Sequence, residues 1–444
     1  MRKTLLSLSV IGSLMAGTAL AQDATAFRDG FVAGDVSWED VQTRAKEEGE
    51  INLYYWGGSD KINIWMDSVA VPALAAEGVK LNPVRITGTK DAVDLVLAEK
   101  GAGKGLGEGS VDAIWVNGEN FATLKRQDAL LGAFADKLPN SVNIEWNPED
   151  PRALLNLRDF GVETNASEMP WSGQQYVCAV NTARVSGDAP STFDGMMSYL
   201  EANPGKFTYV KPPHFIGNTF VQAAMYAHNP DGNEAVPFQA SIGEMGAAEL
   251  ARLITPGFEY LKALEPHLLG AGGTARYPED PKALDGLFLN GEIDFSCQFG
   301  LYGVATGLRD GTYPEGAEQF VFPEGNMIKN KNYLVIPGNA PNPAAAMVMA
   351  NYMASVDSQA TKLEIAGMPP GIDPWRLSAE DSAKLDAASP GLVGVTQADL
   401  DANTAPDTNA TLVDVIEATW LEYIERDSSE SIEAIVANAV ANLK

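Results

Sequence analysis

Val111-Asp112-Ala113-Ile114-Trp115-Val116-Asn117-Gly118-Glu119-Asn120-Phe121 is the stretch that decides how this chain reads. Val111 to Val116 is short, apolar and rich in β-branched and aromatic residues, the composition of a buried strand. Asn117 to Asn120 is a polar turn. From Phe121 to Leu130, apolar residues recur at helical spacing. A strand therefore runs into a polar crest, and a helix follows. In open α/β sheets, ligands bind at such crests, beyond the carboxyl ends of the strands. Glu119 and Asn120 offer acceptors and donors there without a nucleophile or base. Asn117 and Asn120 also suit a plain helix cap.

The same grammar recurs along the chain. Ile51 to Trp56 is a β-rich run that ends in Gly57-Gly58-Ser59-Asp60, and a helix begins near Lys61. The glycines let backbone N–H groups face a ligand at a helix start. Val79 to Ile86 is the next strand, closed by Thr87-Gly88-Thr89 and followed by a helix over Asp91 to Lys100. Thr208 to Val210 reads as a short strand that runs through Lys211-Pro212-Pro213-His214-Phe215-Ile216-Gly217-Asn218 into a helix from Thr219 to Ala227. Pro170-Trp171-Ser172-Gly173-Gln174-Gln175 leads into an apolar strand over Tyr176 to Val180. Ile293 to Phe299 is another strand, with Gln298 and Tyr302 at its end. Trp38 to Glu48 reads as a helix stopped by Gly49, and Ala247 to Leu264 as one broken at Pro256-Gly257. Tyr333 to Ile336 is a strand, Pro343 to Ala354 an Ala- and Met-rich helix, and Val413 to Tyr423 and Ser431 to Leu443 are terminal helices.

Arg2 and Lys3, the apolar run Leu5 to Leu14 and the small-x-small site Ala19-Leu20-Ala21 read as a secretory signal peptide cleaved after Ala21. Its apolar core is too short to span a membrane, and no later stretch approaches ~20 consecutive apolar residues. Without the first 21 residues, 423 of the 444 remain, enough for two domains. The formal charge of −28 makes nucleic acid a poor partner. The three His, at 214, 228 and 267, have no ligand spacing with one another or with a Cys. Two Cys, Cys178 and Cys297, permit one disulfide in a secreted protein.

Catalytic signatures are missing. There is no G-x-S-x-G elbow, no H-E-x-x-H and no supported Cys/His pair. Gly101 to Ser110 departs from a phosphate loop, with Ala98 in place of the first Gly and Gly105 after Lys104. Asp231 and Glu234 lie in a turn-like loop, Asn-Pro-Asp-Gly-Asn-Glu, as expected of solvated residues. A ferric carrier would need Tyr54 and Tyr55 on one side, yet neighbours in a strand face opposite ways. No cofactor is expected.

Three further stretches resemble one known group. They are Trp56-Gly57-Gly58-Ser59, Ile114 to Phe121 and Pro212 to Asn218, joined by Tyr333 to Ile336 with Asn339-Ala340-Pro341-Asn342-Pro343 and its helix. The chain is similar to the solute-binding proteins of ATP-binding cassette importers, and within them to a subgroup labelled thiamine-type. The resemblance covers nearly the whole mature chain. It implies the type II periplasmic binding protein fold, an α/β architecture of two lobes joined by crossing hinge strands around a central ligand cleft. It puts the crossings at about Tyr176 to Val180 and Ile293 to Phe299. The expected lobes are 22–176 with 300–341, and 177–299 with 342–444. If the two crossing strands are neighbours, Cys178 and Cys297 could bond across the hinge.

The implied role is a monomeric periplasmic protein that delivers a small molecule to a membrane permease. The expected ligand-binding residues are Trp56, Gly57, Gly58, Ser59, Glu119, Asn120, Trp171, Gln175, His214, Phe215, Asn218, Gln298 and Tyr302. Rings at the crests can stack on a heterocycle or hold a cation, with Glu119 as counter-charge. An organic cation such as thiamine fits this set. A polyamine, sugar or oxyanion is the alternative; a secreted hydrolase or ferric-iron carrier stands behind these.

Overall fold

In the computed structural model, residues 23–185, 189–232, 235–325 and 327–443 are described. The expected signal peptide, residues 1–21, lies outside them, as does Glu234. The described residues build two lobes joined by one sheet, each with a large hydrophobic core, and smaller clusters form around Ile114, Phe121 and Tyr333 in the first lobe and around Val177, Leu301 and Leu400.

A helical stretch over 23–33 supplies Ala24, Phe27 and Phe31 to the first core, and helix α1 (Trp38–Glu48) follows. Ser37 and Asp40 form a reciprocal capping box at its start, and Gly49, with φ +77°, ends it. Strand β1 (Glu50–Trp56) follows, then α2 (Asp60–Trp65), β2 (Lys80–Ile86), α3 (Thr89–Gly101), β3 (Ala113–Val116) and α4 (Gly118–Arg126). β1 pairs in parallel with β2 and β3, so Trp56, Ile86 and Val116 end on the same carboxyl edge. Helix α4 begins at Gly118, not at Phe121 as the spacing suggested. Glu119 and Asn120 are therefore in its first turn.

A two-residue turn then joins β4 (Arg158–Asp159) to β5 (Val162–Glu163). Strand β6 (Glu168–Asn181) is 14 residues long and leaves the first core for the second. The second core holds α5 (Phe215–Ala227), α6 (Ala247–Leu264), β7 (Phe295–Phe299), α7 (Gly303–Asp310) and β8 (Ala317–Phe320). Strand β9 (Met327–Val335) runs back to the first core. Helix α8 (Pro343–Met353) packs there. Then β10 (Thr404–Ala405), α9 (Ala410–Trp420) and α10 (Ile432–Ala441) complete the second. The main path of the sheet is β2-β1-β3-β9-β6-β7; β10 pairs with β9, and β8 with β6.

Several expectations change. The crossing strands are β6 and β9, not Ile293 to Phe299. β9 puts Met327 and Ile328 in the second core and Leu334 near the first, while β7 stays within the second. The expected lobe boundaries shift accordingly. Residues 343–385 supply Ala344 to Met353, Met368, Ile372 and Leu385 to the first core, whereas 300–320 supply Val304, Ala317 and Phe320 to the second. Composition shows that a helix is apolar, not which core receives it. Thr208 to Val210 is buried but joins no strand. Helix α6 runs unbroken through Pro256. Gly257 is what α5 requires there, because a Cβ would lie 2.7 Å from Met225 Cα.

Cys178 and Cys297 face one another in the β6–β7 ladder and are bonded, 119 residues apart. Both lie within the second core, so the bond staples that core and does not bridge the hinge.

The β6–β9 ladder is polar at its centre and buried. Lys331 Nζ donates to Asp373 Oδ1 at 2.6 Å, to Asn156 Oδ1 at 2.6 Å and to the Gly371 carbonyl at 2.7 Å. Asp373 Oδ2 accepts from Glu145 N and Asn156 Nδ2, both at 2.7 Å. Burial lowers the Lys331 pKa, and Asp373 opposes that. Removing one member strands a buried charge, at about 3–5 kcal/mol. Lys331→Met should therefore lower the unfolding free energy by roughly that amount in a urea titration; a loss within error of zero would show the pair to be dispensable. In denatured, unreduced protein a thiol assay should find no free thiol; two would disprove the Cys178–Cys297 bond.

Candidate functional site

The carboxyl edge of β1 and β3 carries Trp56, Gly57, Gly58, Ser59 and, on α4, Glu119 and Asn120. The Trp56 ring lies edge-on to Trp115, with centroids 6.3 Å apart. It also lies over Gly58, where a Cβ would sit 2.3 Å from a ring carbon. Gly58 is thus a seat for the indole. Gly57 extends the sheet through its N–H to the Ile86 carbonyl, and its carbonyl accepts from Asn63 Nδ2 at 2.9 Å. Ser59 Oγ accepts from Ile62 N and caps α2. At that crest the polar groups mostly satisfy the fold itself.

The acids at α4 behave differently. Glu119 Oε1 accepts from Asn120 Nδ2 at 3.1 Å. Solvent reaches Glu119, yet protein surrounds it closely enough that burial raises its pKa, and Asp414 adds to this. Asp414 and Glu417 stand on α9, in the other core, and α9 packs against α4. Asn218 Nδ2 donates to Glu417 Oε1 at 2.6 Å. Burial, with Asp414 and Glu119 nearby, raises the Glu417 pKa to about 7. Asp407, buried behind them, is also pushed up to about 7, mainly by burial and in part by Glu119. Among the described residues no ion pair involves Glu119, Asp407, Asp414 or Glu417. This is one acidic face contributed by both cores and left without a cation.

Aromatic groups stand on the α5 side, four residues or fewer from Asn218. His214 Nδ1 accepts from Ile216 N and caps α5; its ring stacks on Phe215, with centroids 4.6 Å apart. Burial lowers the His214 pKa, so the neutral ring is favoured. Phe215 is 52% exposed, large for a phenyl ring, and its centroid is 6.1 Å from that of Phe299. A groove of about 530 Å³ opens beside Asp414, lined also by Glu422, Glu430, Ile435 and Asn438. One exposed ion pair, Lys61 with Asp310, links α2 to α7 between the cores. Such pairs contribute only about 0.2–1 kcal/mol.

Glu119, Asn120 and Asn218 therefore come together, with His214 and Phe215 at the start of the Asn218 helix. Four expected residues do not join them. Trp171 is buried in the first core against Trp65, Trp115 and Lys362. Gln175 is buried and donates to the Leu400 carbonyl at 3.1 Å. Gln298 donates to Asp285 and to the Tyr313 hydroxyl, each at 2.6 Å. Tyr302 packs beside Val177, Leu301 and Leu400. Proximity to a strand end placed all four in the expected site, but side-chain direction turns them into packing. Of the two suggested iron ligands, Tyr54 and Tyr55, Tyr55 is buried and hydrogen-bonded to Asn63 and Arg85. Sequence reasoning missed Asp407, Asp414 and Glu417. The three-residue spacing of Asp414 and Glu417 on a helix was the available signal, and it did not say what they face. No group of three or more His, Cys, Asp or Glu among the described residues is arranged to hold a metal ion.

Two lobes of this kind, joined by a shared sheet and meeting at helix starts, define a binding protein for a small solute. Residues 68–391 match the model of a family described as bacterial extracellular solute-binding protein, and the chain belongs to that family. It is 33% identical over 356 residues to Protein YnjB of Escherichia coli (strain K12), covering 80% of this chain and 87% of that one. Solved structures share the fold, and two of them illustrate it. The spermidine/putrescine ABC transporter substrate-binding protein PotD of Streptococcus pneumoniae aligns with TM-score 0.53 at 14% identity, over 81% of this chain and 92% of that one. The periplasmic binding protein AfuA of Actinobacillus pleuropneumoniae, with fructose-6-phosphate bound, aligns with TM-score 0.56 at 15% identity, over 85% and 99%. The fold is thus the two-lobed periplasmic binding protein architecture, and the family serves transport.

The acidic face has a measurable signature. An acid whose pKa is raised on folding contributes stability below its unfolded pKa and loses it as pH rises through the folded one. For Glu417 the window is about 4.5 to about 7. The unliganded protein should melt lower at pH 8 than at pH 5, with Glu417 responsible for up to about 3 kcal/mol. In Glu417→Gln the decline should be shallower; an equal or steeper decline would show that Glu417 titrates normally.

Proposed function

We propose that this chain is the periplasmic solute-binding component of an ABC importer and that it captures a small organic cation between its lobes for delivery to the membrane permease. The carrying observation is the acidic face of Glu119, Asp414 and Glu417. It is built from both lobes and is free of ion pairs among the described residues, and Asn218, which donates to Glu417, lies one turn after the exposed Phe215. A cation there gains attraction from two or three carboxylates, and a neighbouring ring adds cation–π attraction of about 0.5–2 kcal/mol. A phosphate at the same place, about 4 Å from one carboxylate, would be repelled by about 4 kcal/mol per charge pair at an effective dielectric near 20. This favours thiamine or a polyamine over a sugar phosphate or oxyanion. We take the chain to act by binding and not as an enzyme, to be exported with cleavage after Ala21, and to work as a monomer without a cofactor. No helix among the described residues is long and apolar enough to cross a membrane, which fits that reading. Lobe closure around the ligand is the natural motion.

A thermal-shift screen with thiamine, spermidine, putrescine, glycine betaine, glucose, fructose 6-phosphate and phosphate tests the reading. A cation at ~100 times its Kd should add about 2.7 kcal/mol of stability. Glu119→Gln and Glu417→Gln should each weaken that cation by about tenfold. Affinity should also fall as the pH drops from 8 to 5, because Glu417 and Asp407, with pKa values of about 7, become protonated. Stabilisation by sugars or oxyanions alone would overturn the cation reading and leave the solute-binding class intact.

A further inference from the structure

The turn between β4 and β5 touches both acid-bearing helices. Asp159 Oδ2 accepts from Gly118 N, the first residue of α4, at 2.7 Å. The Phe160 carbonyl accepts from Ala410 N, the first residue of α9, at 2.8 Å. Each is an N-terminal N–H that a helix cannot satisfy internally. The Phe160 ring packs on Gly118, where a Cβ would be 3.2 Å from three of its carbons. Gly161 fits against Asn409, the N-cap of α9; a Cβ there would be 2.7 Å from Asn409 Nδ2 and 3.1 Å from the Gln239 carbonyl. The backbone is left-handed at Phe160 (φ +46°) and at Gly161 (φ +73°). Two-residue hairpin turns of this shape favour Asn-Gly or Asp-Gly. A bulky aromatic residue there costs about 1–3 kcal/mol and persists only where its surroundings enforce it.

We propose that the Asp159-Phe160-Gly161 turn is a positioning element of the ligand site, a single clamp on the starts of α4 and α9. It holds Glu119 on one helix against Asp414 and Glu417 on the other. The Phe160 carbonyl and Gly161 grip the α9 side, and Asp159 and the Phe160 ring grip the α4 side. The effect on affinity rests on the cation reading above; the coupling of the two helices does not.

Hydrogen–deuterium exchange on the full mature chain, disulfide intact, tests the coupling without a ligand. Asp159→Ala should speed exchange at least tenfold at the starts of both helices, residues 118–122 and 410–414, and leave β7 near Cys297 unchanged. Asp159→Asn should match the parent, because its amide oxygen still accepts from Gly118 N. Phe160→Gly relieves the backbone strain and removes the ring, and should loosen the same two segments. Acceleration confined to 118–122 in Asp159→Ala would reduce Asp159 to a local cap and overturn the clamp. Calorimetry with thiamine and spermidine then reads the consequence. Whichever the parent binds should bind Asp159→Ala at least tenfold more weakly, with affinity restored in Asp159→Asn. Unchanged affinity beside coupled exchange would overturn the positioning role. If another cation of the screen binds in their place, it serves as the probe; if none does, the cation reading falls and the exchange result alone decides the clamp.

Discussion

Everything in this molecule hangs on the antiparallel ladder between β6 and β9. Glu168 to Gln175 pairs with Lys329 to Val335, and these strands carry the sheet from one hydrophobic core to the other. The ladder is polar where the cores part. Asn330, Lys331 and Asn332 are all buried there, and Lys331 draws together Asn156, Gly371 and Asp373. An apolar crossing would merge the two cores. A polar one that is well hydrogen-bonded holds them in register while leaving the lobes separate, because its bonds are directional and cannot slide.

The ladder also sets what the lobes show each other. β3 pairs with β9, so α4 leaves the first lobe beside the crossing. β10 pairs with the other end of β9, and α9 follows it from the second lobe. The two helix starts therefore meet. Both present carboxylates, and the β4–β5 turn lies against both. Buried or half-buried acids without a cation are costly, and their raised pKa values express that cost. The cationic ligand proposed above would relieve it. Elsewhere most acids are solvated or paired with Lys and Arg, while Asp112, Asp159 and Glu168 are buried singly, so the negative total alone pointed nowhere.

Much of the architecture was legible because it depends on local chemistry. Ser37, Asp40 and Gly49 fix the ends of α1 through side-chain and backbone bonds within one turn. The alternation in Ile51 to Trp56 produces a strand with Tyr54 and Tyr55 on opposite faces. The crests at Trp56 and Glu119 fall at strand ends, as the sequence grammar required. Errors arose where distant partners decide. Pro256 reads as a break, yet α6 continues through it, with α5 crossing closely at Gly257. Trp171, Gln175, Gln298 and Tyr302 stand near strand ends but point into packing, a fact set by strand register and not by position along the chain.

By itself the sequence determined the repeated strand–crest–helix units and the likeness to importer binding proteins. These follow from periodicity, composition and short motifs, all properties of neighbouring residues. Only the tertiary structure decided that β9, not β7, is the second crossing, and that residues 343–385 return to the first core. Only it placed Cys178 beside Cys297 within one lobe, and brought Asp407, Asp414 and Glu417 to Glu119. Those facts depend on contacts between segments more than a hundred residues apart. A helix carries its own caps and apolar face in its sequence, but which partner covers that face is chosen by the packing of the whole chain.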